Sequence, residues 1–319
     1  MTARPVLLQT VTLPPALERE LNETYTIHRL PAPGGERDAF LAARGKEFEG
    51  MVTSAATGAD AALISALPKL RVISSFGVGL DKMDVAAAAG RSIPVGYTPD
   101  VLNDCVADLA FGLMLAIGRR IPEADRFVRA GQWTSKPGMS FPFGRQVSGA
   151  KLGIVGLGRI GKTIARRASG FDMDVRYHSR RPVEGVAWQH ESQLLELARW
   201  CDFLVVITAG GAQTRHLIDD KVLDALGTKG YLVNVARGTV IDEAALVRAL
   251  QEKRIAGAGL DVYEREPHVP PELFTLDNVV LVPHIASATV QTRQAMAQRV
   301  LDNLSAFFAG QPLLSAATA

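Results

Sequence analysis

The chain has 319 residues, 47% hydrophobic and 21% charged, the balance of a globular protein long enough for about two domains. Its 35 Lys and Arg against 33 Asp and Glu leave a formal charge of +2, which argues against a nucleic-acid surface. No apolar run is long enough to cross a bilayer, and the segment 1–13 does not read as a secretory signal, so a cytoplasmic protein is expected.

In chain order, Val6-Leu7-Leu8, Gly50-Met51-Val52 and Arg71-Val72-Ile73 predict strands, and 17–23, 60–67 and 84–89 predict helices. Such alternation implies βαβ units on a parallel sheet. Thr98-Pro99-Asp100 breaks the pattern, with Asp100 as the cap of a long helix over 101–118. A second helix covers 121–133, and 135–149 is a loop rich in Gly, Pro and Phe. A new series of strands starts at Leu152-Gly153-Ile154-Val155. It continues through Val175-Arg176-Tyr177, Phe203-Leu204-Val205-Val206, Leu232-Val233-Asn234, Gly257-Ala258-Gly259-Leu260 and Val279-Val280-Leu281, with helices between most of them. One more helix covers 289–308. The fold class is α/β with two doubly wound domains. Residues 99–287 are expected to form a Rossmann-type dinucleotide-binding domain. It would be inserted into a flavodoxin-like substrate-binding domain of 1–98, completed by 288–319.

Gly156-Leu157-Gly158-Arg159-Ile160-Gly161 is a G-x-G-x-x-G that follows an apolar strand and opens a helix over 160–168, the context that gives this motif meaning. Gly156 permits the tight turn, Gly158 lets the main chain approach a pyrophosphate, and Gly161 lets the helix pack on the strand. The helix N-terminus offers free N–H groups and a positive dipole end to phosphates. A glycine-rich turn of some other α/β protein is the rival, disfavoured by the strand–helix segments that follow. The next strand leads to His178 and then Ser179-Arg180-Arg181, where an NAD enzyme usually carries Asp or Glu on the ribose hydroxyls. A carboxylate there would repel a 2′-phosphate, whereas a hydroxyl and two guanidiniums would bind it through charge-assisted hydrogen bonds. NADP(H) is therefore the expected cofactor, with NAD(H) also usable. Two solvated loop arginines would leave the missing acid unexplained.

Three further segments each follow a strand: Asn234-Val235-Ala236-Arg237-Gly238, Asp261-Val262-Tyr263-Glu264-Arg265-Glu266-Pro267 and Pro283-His284-Ile285-Ala286-Ser287. Open α/β sheets bind ligands beyond the carboxyl ends of their strands, so Arg237, Glu266 and His284 are expected to converge. The set suits reduction of a ketone. A protonated His supplies the proton that the carbonyl oxygen needs, and an Arg holds the substrate's carboxylate or carbonyl. A carboxylate beside the His favours the imidazolium and fixes its tautomer.

With these residues in view, the sequence resembles the D-isomer-specific 2-hydroxyacid dehydrogenases over almost its whole length. The likeness is carried by Ser75-Phe76-Gly77-Val78-Gly79-Leu80-Asp81, the glycine fingerprint, Val235-Ala236-Arg237-Gly238, Gly259-Leu260-Asp261-Val262-Tyr263 with Glu266-Pro267, and His284-Ile285-Ala286-Ser287. Tyr177-His178-Ser179-Arg180-Arg181 and His284 to Thr289 bring it nearest the glyoxylate/hydroxypyruvate reductases, including hydroxyphenylpyruvate reductases. The resemblance implies Arg237 as substrate binder, His284 as acid/base and Glu266 as its partner. It implies that the N–H groups of Val78 and Gly79 receive the substrate carboxylate and that Asp261 meets the nicotinamide end. Leu157, Arg159, Ile160, Thr208, Val235 and Ala236 join the cofactor-binding set. It also implies a homodimer, with 101–148 supplying much of the interface.

Other residues read as structural. Cys105 and Cys201 are the only cysteines, far apart, and read as reduced and mostly buried thiols. His28, His178, His190, His216 and His268 have no metal-ligand spacing, so no metal is expected. Trp133 and Phe141 read as interface residues, and Asp202 as a surface charge. The tryptophan that related reductases place in this loop has no counterpart in Ser135-Lys136-Pro137-Gly138-Met139. The rival from another class is a dinucleotide-sensing corepressor of the same fold. The sequence ends soon after its last helix, without the tails of such proteins, which ranks that reading below the enzyme. Glyoxylate, hydroxypyruvate, an aryl pyruvate and a sugar-derived 2-oxo acid all remain open as substrates.

Overall fold

Short runs of Val, Ile and Leu separated by helices fold into two parallel sheets, one in each of two units. In the computed structural model, which describes residues 4–134 and 141–318, the units are Met1–Leu102 with Thr289–Ala319, and Asn103–Ala288. The segment 135–139, whose missing tryptophan was noted above, lies outside the described residues.

The first unit runs β1 (Val6–Gln9), α1 (Pro15–Thr24), β2 (Thr26–Arg29), α2 (Gly35–Arg44), β3 (Gly50–Ser54), α3 (Ala61–Ser65), β4 (Val72–Phe76), α4 (Val85–Gly90) and β5 (Val95–Gly96). Every pairing is parallel, in the order β2-β1-β3-β4-β5, the flavodoxin-like arrangement. Helix starts are chemically marked: Asp60 accepts from the Leu63 N–H and Asp84 from the Ala87 N–H. The helix α2 has no fully buried residue; Phe40 and Leu41 pack, half-buried, against the core, and this helix was not predicted from the sequence.

The second unit opens with α5 (Asn103–Gly118) and α6 (Ile121–Arg129). It continues through β6 (Lys151–Val155), α7 (Arg159–Ala168), β7 (Asp174–His178), β8 (Gln189–His190), α8 (Leu194–Trp200), β9 (Phe203–Val206), α9 (Asp220–Leu226), β10 (Tyr231–Asn234), α10 (Glu243–Gln251), β11 (Gly257–Leu260) and β12 (Val279–Leu281). Its seven parallel strands lie in the order β12-β11-β10-β9-β6-β7-β8, a Rossmann sheet with the chain reversing direction between β6 and β9. Gly257 and Gly259 let α5 lie flat on β11. A Cβ on Gly259 would stand 2.9 Å from the Leu113 Cβ, and one on Gly257 3.0 Å from Ile117.

Three expectations need correction here. Asp100 does not cap the long helix: it sits in a left-handed turn (φ 68°), and α5 begins only at Asn103. The helix predicted to reach residue 133 ends at Arg129, because the chain turns through Gly131 at φ 68°. Asp202 is not a loose surface charge. It accepts from Arg145 at 2.6 Å and from the Lys151 N–H at 3.0 Å, which ties the start of β6 to the start of β9.

The chain returns to the first unit through α11 (Val290–Phe308), capped by Thr289, which accepts from the Thr292 N–H. The Ser74 hydroxyl donates to the Val300 carbonyl at 3.3 Å. Fully buried Asn303 donates to the Tyr97 carbonyl and to the Ser315 hydroxyl, and accepts from the Ser315 N–H. No helix of the described residues is long and apolar enough to cross a membrane.

Candidate active site

The register of the second sheet brings three chain segments together. Asn234, Leu260 and Leu281 are lateral partners on β10, β11 and β12, so the residues that follow leave the sheet at one level. Asn234 shapes the first exit: its side chain donates to the Arg237 carbonyl at 3.0 Å and accepts from the Ala236 N–H at 3.1 Å. Gly238 lets this turn press on the second exit, where a Cβ would stand 1.8 Å from the Tyr263 carbonyl carbon. Arg237 donates to the Ala236 carbonyl at 2.7 Å. The Tyr263 hydroxyl, with one hydrogen to donate, lies within reach of the carbonyls of Leu260 at 3.3 Å and Val282 at 3.1 Å, at the ends of β11 and β12.

Glu266 and His284 meet at 2.8 Å, carboxylate oxygen to Nδ1. The other Glu266 oxygen accepts from the Tyr263 N–H at 3.1 Å. Burial pulls the Glu266 carboxyl upward. The hydrogen bond and charge of His284, the Tyr263 N–H and the Arg237 charge outweigh it, leaving the carboxyl below its ordinary range. The His284 side chain stays 44% exposed, so its Nε2 edge can reach a ligand.

His284 occupies the left-handed region at φ 53°, a conformation that costs a residue with a Cβ of order 1–3 kcal/mol. Its surroundings compensate. The His284 N–H donates to the Asp261 carbonyl at 2.9 Å, and the Asp261 carboxylate accepts from Ile285 N–H at 2.6 Å and Ala286 N–H at 3.1 Å. Asp261 has no exposed surface. Burial raises its carboxyl above the ordinary range, against the two amides and the charge of His284. Expected at the nicotinamide end, Asp261 has as its visible task here the clamping of the loop that carries His284. Sequence reasoning missed that task and those of Asn234 and Tyr263; an uncharged Asn at the end of an apolar strand was the available signal.

The glycine fingerprint fits a dinucleotide. Gly156 takes φ 101°, and a Cβ there would stand 2.7 Å from the Thr208 Cα, at the switch point between β6 and β9. A Cβ on Gly161 would come 2.2 Å from the Gly156 carbonyl oxygen. One on Gly158 meets no protein atom within 4 Å, and Gly158 is the residue preceding the first turn of α7. Two glycines are thus required by the fold, and the third leaves space at a helix N-terminus, where a pyrophosphate binds. Leu157 is buried, Arg159 exposed and Ile160 half-buried along this turn; Val235 and Ala236 are buried after β10.

Beyond β7 the turn 178–183 is braced from several sides. His178 Nδ1 contacts the Glu191 carbonyl, His190 Nε2 the Ser179 carbonyl, and the Tyr177 hydroxyl accepts from the Val183 N–H. The Ser179 hydroxyl donates to the Arg181 carbonyl at 2.6 Å and braces the turn. Arg180 and Arg181 are exposed, with no carboxylate at ion-pair distance among the described residues. Val78 and Gly79 belong to the first unit, half-buried in the turn after β4. There Gly77, at φ 137°, exchanges hydrogen bonds with Thr98.

A family model described as D-isomer specific 2-hydroxyacid dehydrogenase, NAD binding domain, matches residues 111–286. The chain is 48% identical to glyoxylate/hydroxypyruvate reductase A of Arabidopsis thaliana over 300 residues, 94% of each chain. It is equally 48% identical to hydroxyphenylpyruvate reductase of Plectranthus scutellarioides, again over 94% of each. A solved structure of an NADPH-dependent glyoxylate/hydroxypyruvate reductase from Sinorhizobium meliloti, in complex with NADP and malonate, matches with a TM-score of 0.91 at 41% identity. That match covers 99% of this chain and 97% of the other.

The glycine geometry makes a two-sided prediction. Gly158→Ala should leave stability within about 1 kcal/mol of wild type in urea unfolding and weaken dinucleotide binding in a fluorescence titration. Gly161→Ala should itself destabilise by about 1–3 kcal/mol. Unchanged dinucleotide affinity in Gly158→Ala would remove this turn as the pyrophosphate cradle.

Proposed function

Because the chain belongs to the D-isomer specific 2-hydroxyacid dehydrogenase family, we propose that it reduces a small 2-oxo acid of the glyoxylate or hydroxypyruvate type to the D-2-hydroxy acid, with NADPH as preferred cofactor. The observation that carries this reading is the His284–Glu266 pair at 2.8 Å, beside Arg237 at the carboxyl ends of neighbouring strands. The bound dinucleotide supplies the hydride. His284 holds a proton on Nε2 and delivers it to the carbonyl oxygen of the substrate, while Glu266 fixes the ring through Nδ1. Arg237 presents a planar donor pair to the carboxylate or carbonyl, which suits a 2-oxo acid better than a simple ketone. We assign the carboxylate also to the main-chain N–H groups of Val78 and Gly79, whose turn is held open by glycine.

The NADPH preference rests on Arg180 and Arg181 standing uncompensated beyond β7, and the Sinorhizobium meliloti reductase is described as NADPH-dependent. The homodimer we propose would use the face of α6 and the following chain. On α6, Ile121 and Val128 are 53% exposed, and in the chain that follows, Trp133 is 75% and Phe143 81% exposed, a grouping of large apolar side chains that suits a protein–protein contact. Phe141, also expected at that interface, stacks edge-on against Phe127 of its own chain with ring centroids 5.4 Å apart.

His284→Ala should lower kcat by about 10²–10⁴-fold with dinucleotide affinity retained; a variant that keeps most of its turnover would remove His284 as the acid. In Glu266→Gln, which keeps an acceptor for Nδ1 but removes the charge that holds the ring, reductive kcat should fall by about 10-fold or more with dinucleotide affinity retained. An unchanged kcat would separate the two residues.

With glyoxylate or hydroxypyruvate, kcat/KM should favour NADPH over NADH by at least about tenfold, mostly through KM. Equal use of both cofactors would leave the two arginines as solvated surface charges.

Sedimentation velocity should give twice the chain mass, shifting toward the monomer in Val128→Asp with Phe143→Asp. A wild-type monomer at micromolar concentration would remove the dimer.

A further inference from the structure

Arg180 and Gln213 are 33 positions apart in sequence, yet their side chains meet at 2.7 Å, guanidinium Nη1 donating to the amide oxygen. Arg180 follows β7, and Gln213 lies in the turn that follows β9. The two strands flank β6 on opposite sides in the sheet. The hydrogen bond therefore spans the carboxyl end of β6, the strand that carries the glycine fingerprint.

Both side chains are exposed, but each leaves a turn held by its own hydrogen bonds. The Arg180 turn is braced by His178, His190, Tyr177 and Ser179 as described above. The Gln213 turn begins at Gly211 with φ 133°, and the Thr214 hydroxyl, the donor here, is within reach of the carbonyls of Ala209 and Gly211. Two pre-shaped turns thus present one donor and one acceptor to each other.

The chemistry of the pair is selective. A guanidinium carries five N–H donors in a planar fork. Gln213 takes a donor on Nη1 and leaves the Nε and Nη2 edge available to an anion. Being neutral, the amide orients the charge without cancelling it. A carboxylate in its place would orient the guanidinium as well, but would neutralise it and repel a phosphate.

We infer that Gln213 is a positioning residue for cofactor selection, holding Arg180 across the fingerprint with one edge free for the 2′-phosphate of the adenosine half. This rests on the proposed NADPH preference and adds to it a residue from the turn after β9 that the fingerprint and the Ser-Arg-Arg turn do not include.

The test isolates the adenosine half and uses the purified whole chain. Calorimetric titration with adenosine 2′,5′-bisphosphate and with adenosine 5′-monophosphate reads the 2′-phosphate contribution directly, without turnover. Gln213→Ala should weaken the bisphosphate by about 3- to 10-fold and leave the monophosphate within about twofold. Gln213→Glu should weaken the bisphosphate by more than about tenfold, through charge neutralisation and repulsion. In an Arg180→Ala background, Gln213→Ala should add nothing, since its effect runs through that guanidinium. Bisphosphate affinity unchanged or tightened by Gln213→Ala, with Arg180→Ala still weakening it, would overturn the role of Gln213 alone. No discrimination lost in the double variant Arg180→Ala, Arg181→Ala would overturn the NADPH reading and this inference together.

Discussion

The Asp261 carboxylate governs the arrangement of the candidate site. It is fully buried at the end of β11, and it accepts from the two amide N–H groups that follow His284. Those bonds hold the loop while His284 takes a left-handed backbone that a residue with a Cβ otherwise avoids. With the backbone so held, the imidazole meets Glu266 at Nδ1, and its other edge is left to solvent and ligand. A longer or an uncharged side chain at position 261 could not make both contacts with the same strength.

Two carboxylates of one segment are thereby set to opposite tasks. Burial lifts Asp261 above its ordinary range, and His284 with Arg237 brings Glu266 below it against burial. The signs decide their part in stability. Glu266 contributes stability above its unfolded pKa, and that contribution is lost as pH falls through its lower folded value. Asp261 carries a desolvation cost while ionised, which fades as pH falls below its raised folded value. The segment from Asp261 to Glu266 thus combines a buried clamp and a half-exposed partner within six residues.

Much of this was legible in the sequence because it follows from periodicity and position. The parallel series, the glycine turn and the three segments beyond β10, β11 and β12 are each local patterns. The Rossmann strand order that places those segments side by side comes from general rules for α/β sheets. What escaped was tertiary. Nothing local in Asp261 separates a residue at the cofactor from a buried clamp, because the distinction lies in amides 24 and 25 positions away. The contact of the Ser179 hydroxyl with the Arg181 carbonyl is likewise set by the turn and not by any local pattern. Asp202 read as a surface charge, because Arg145 and Lys151 are brought to it only by the fold. The helix α2, which touches the core only through half-buried Phe40 and Leu41, was passed over.

The first unit is assembled from two stretches of chain, with Asn303 and Ser315 closing hydrogen bonds to Tyr97. On the ribosome, residues 1–102 emerge long before α11 does. The strand β4 and the Tyr97 carbonyl wait for partners encoded some two hundred residues downstream, while the second unit has every strand of its own sheet in hand once β12 is out. Closing so long a loop adds little entropy beyond that of a shorter one, since the cost grows only as the logarithm of length. The consequence is an order of events: the inserted unit can complete its core during synthesis before the divided unit around it receives its second stretch.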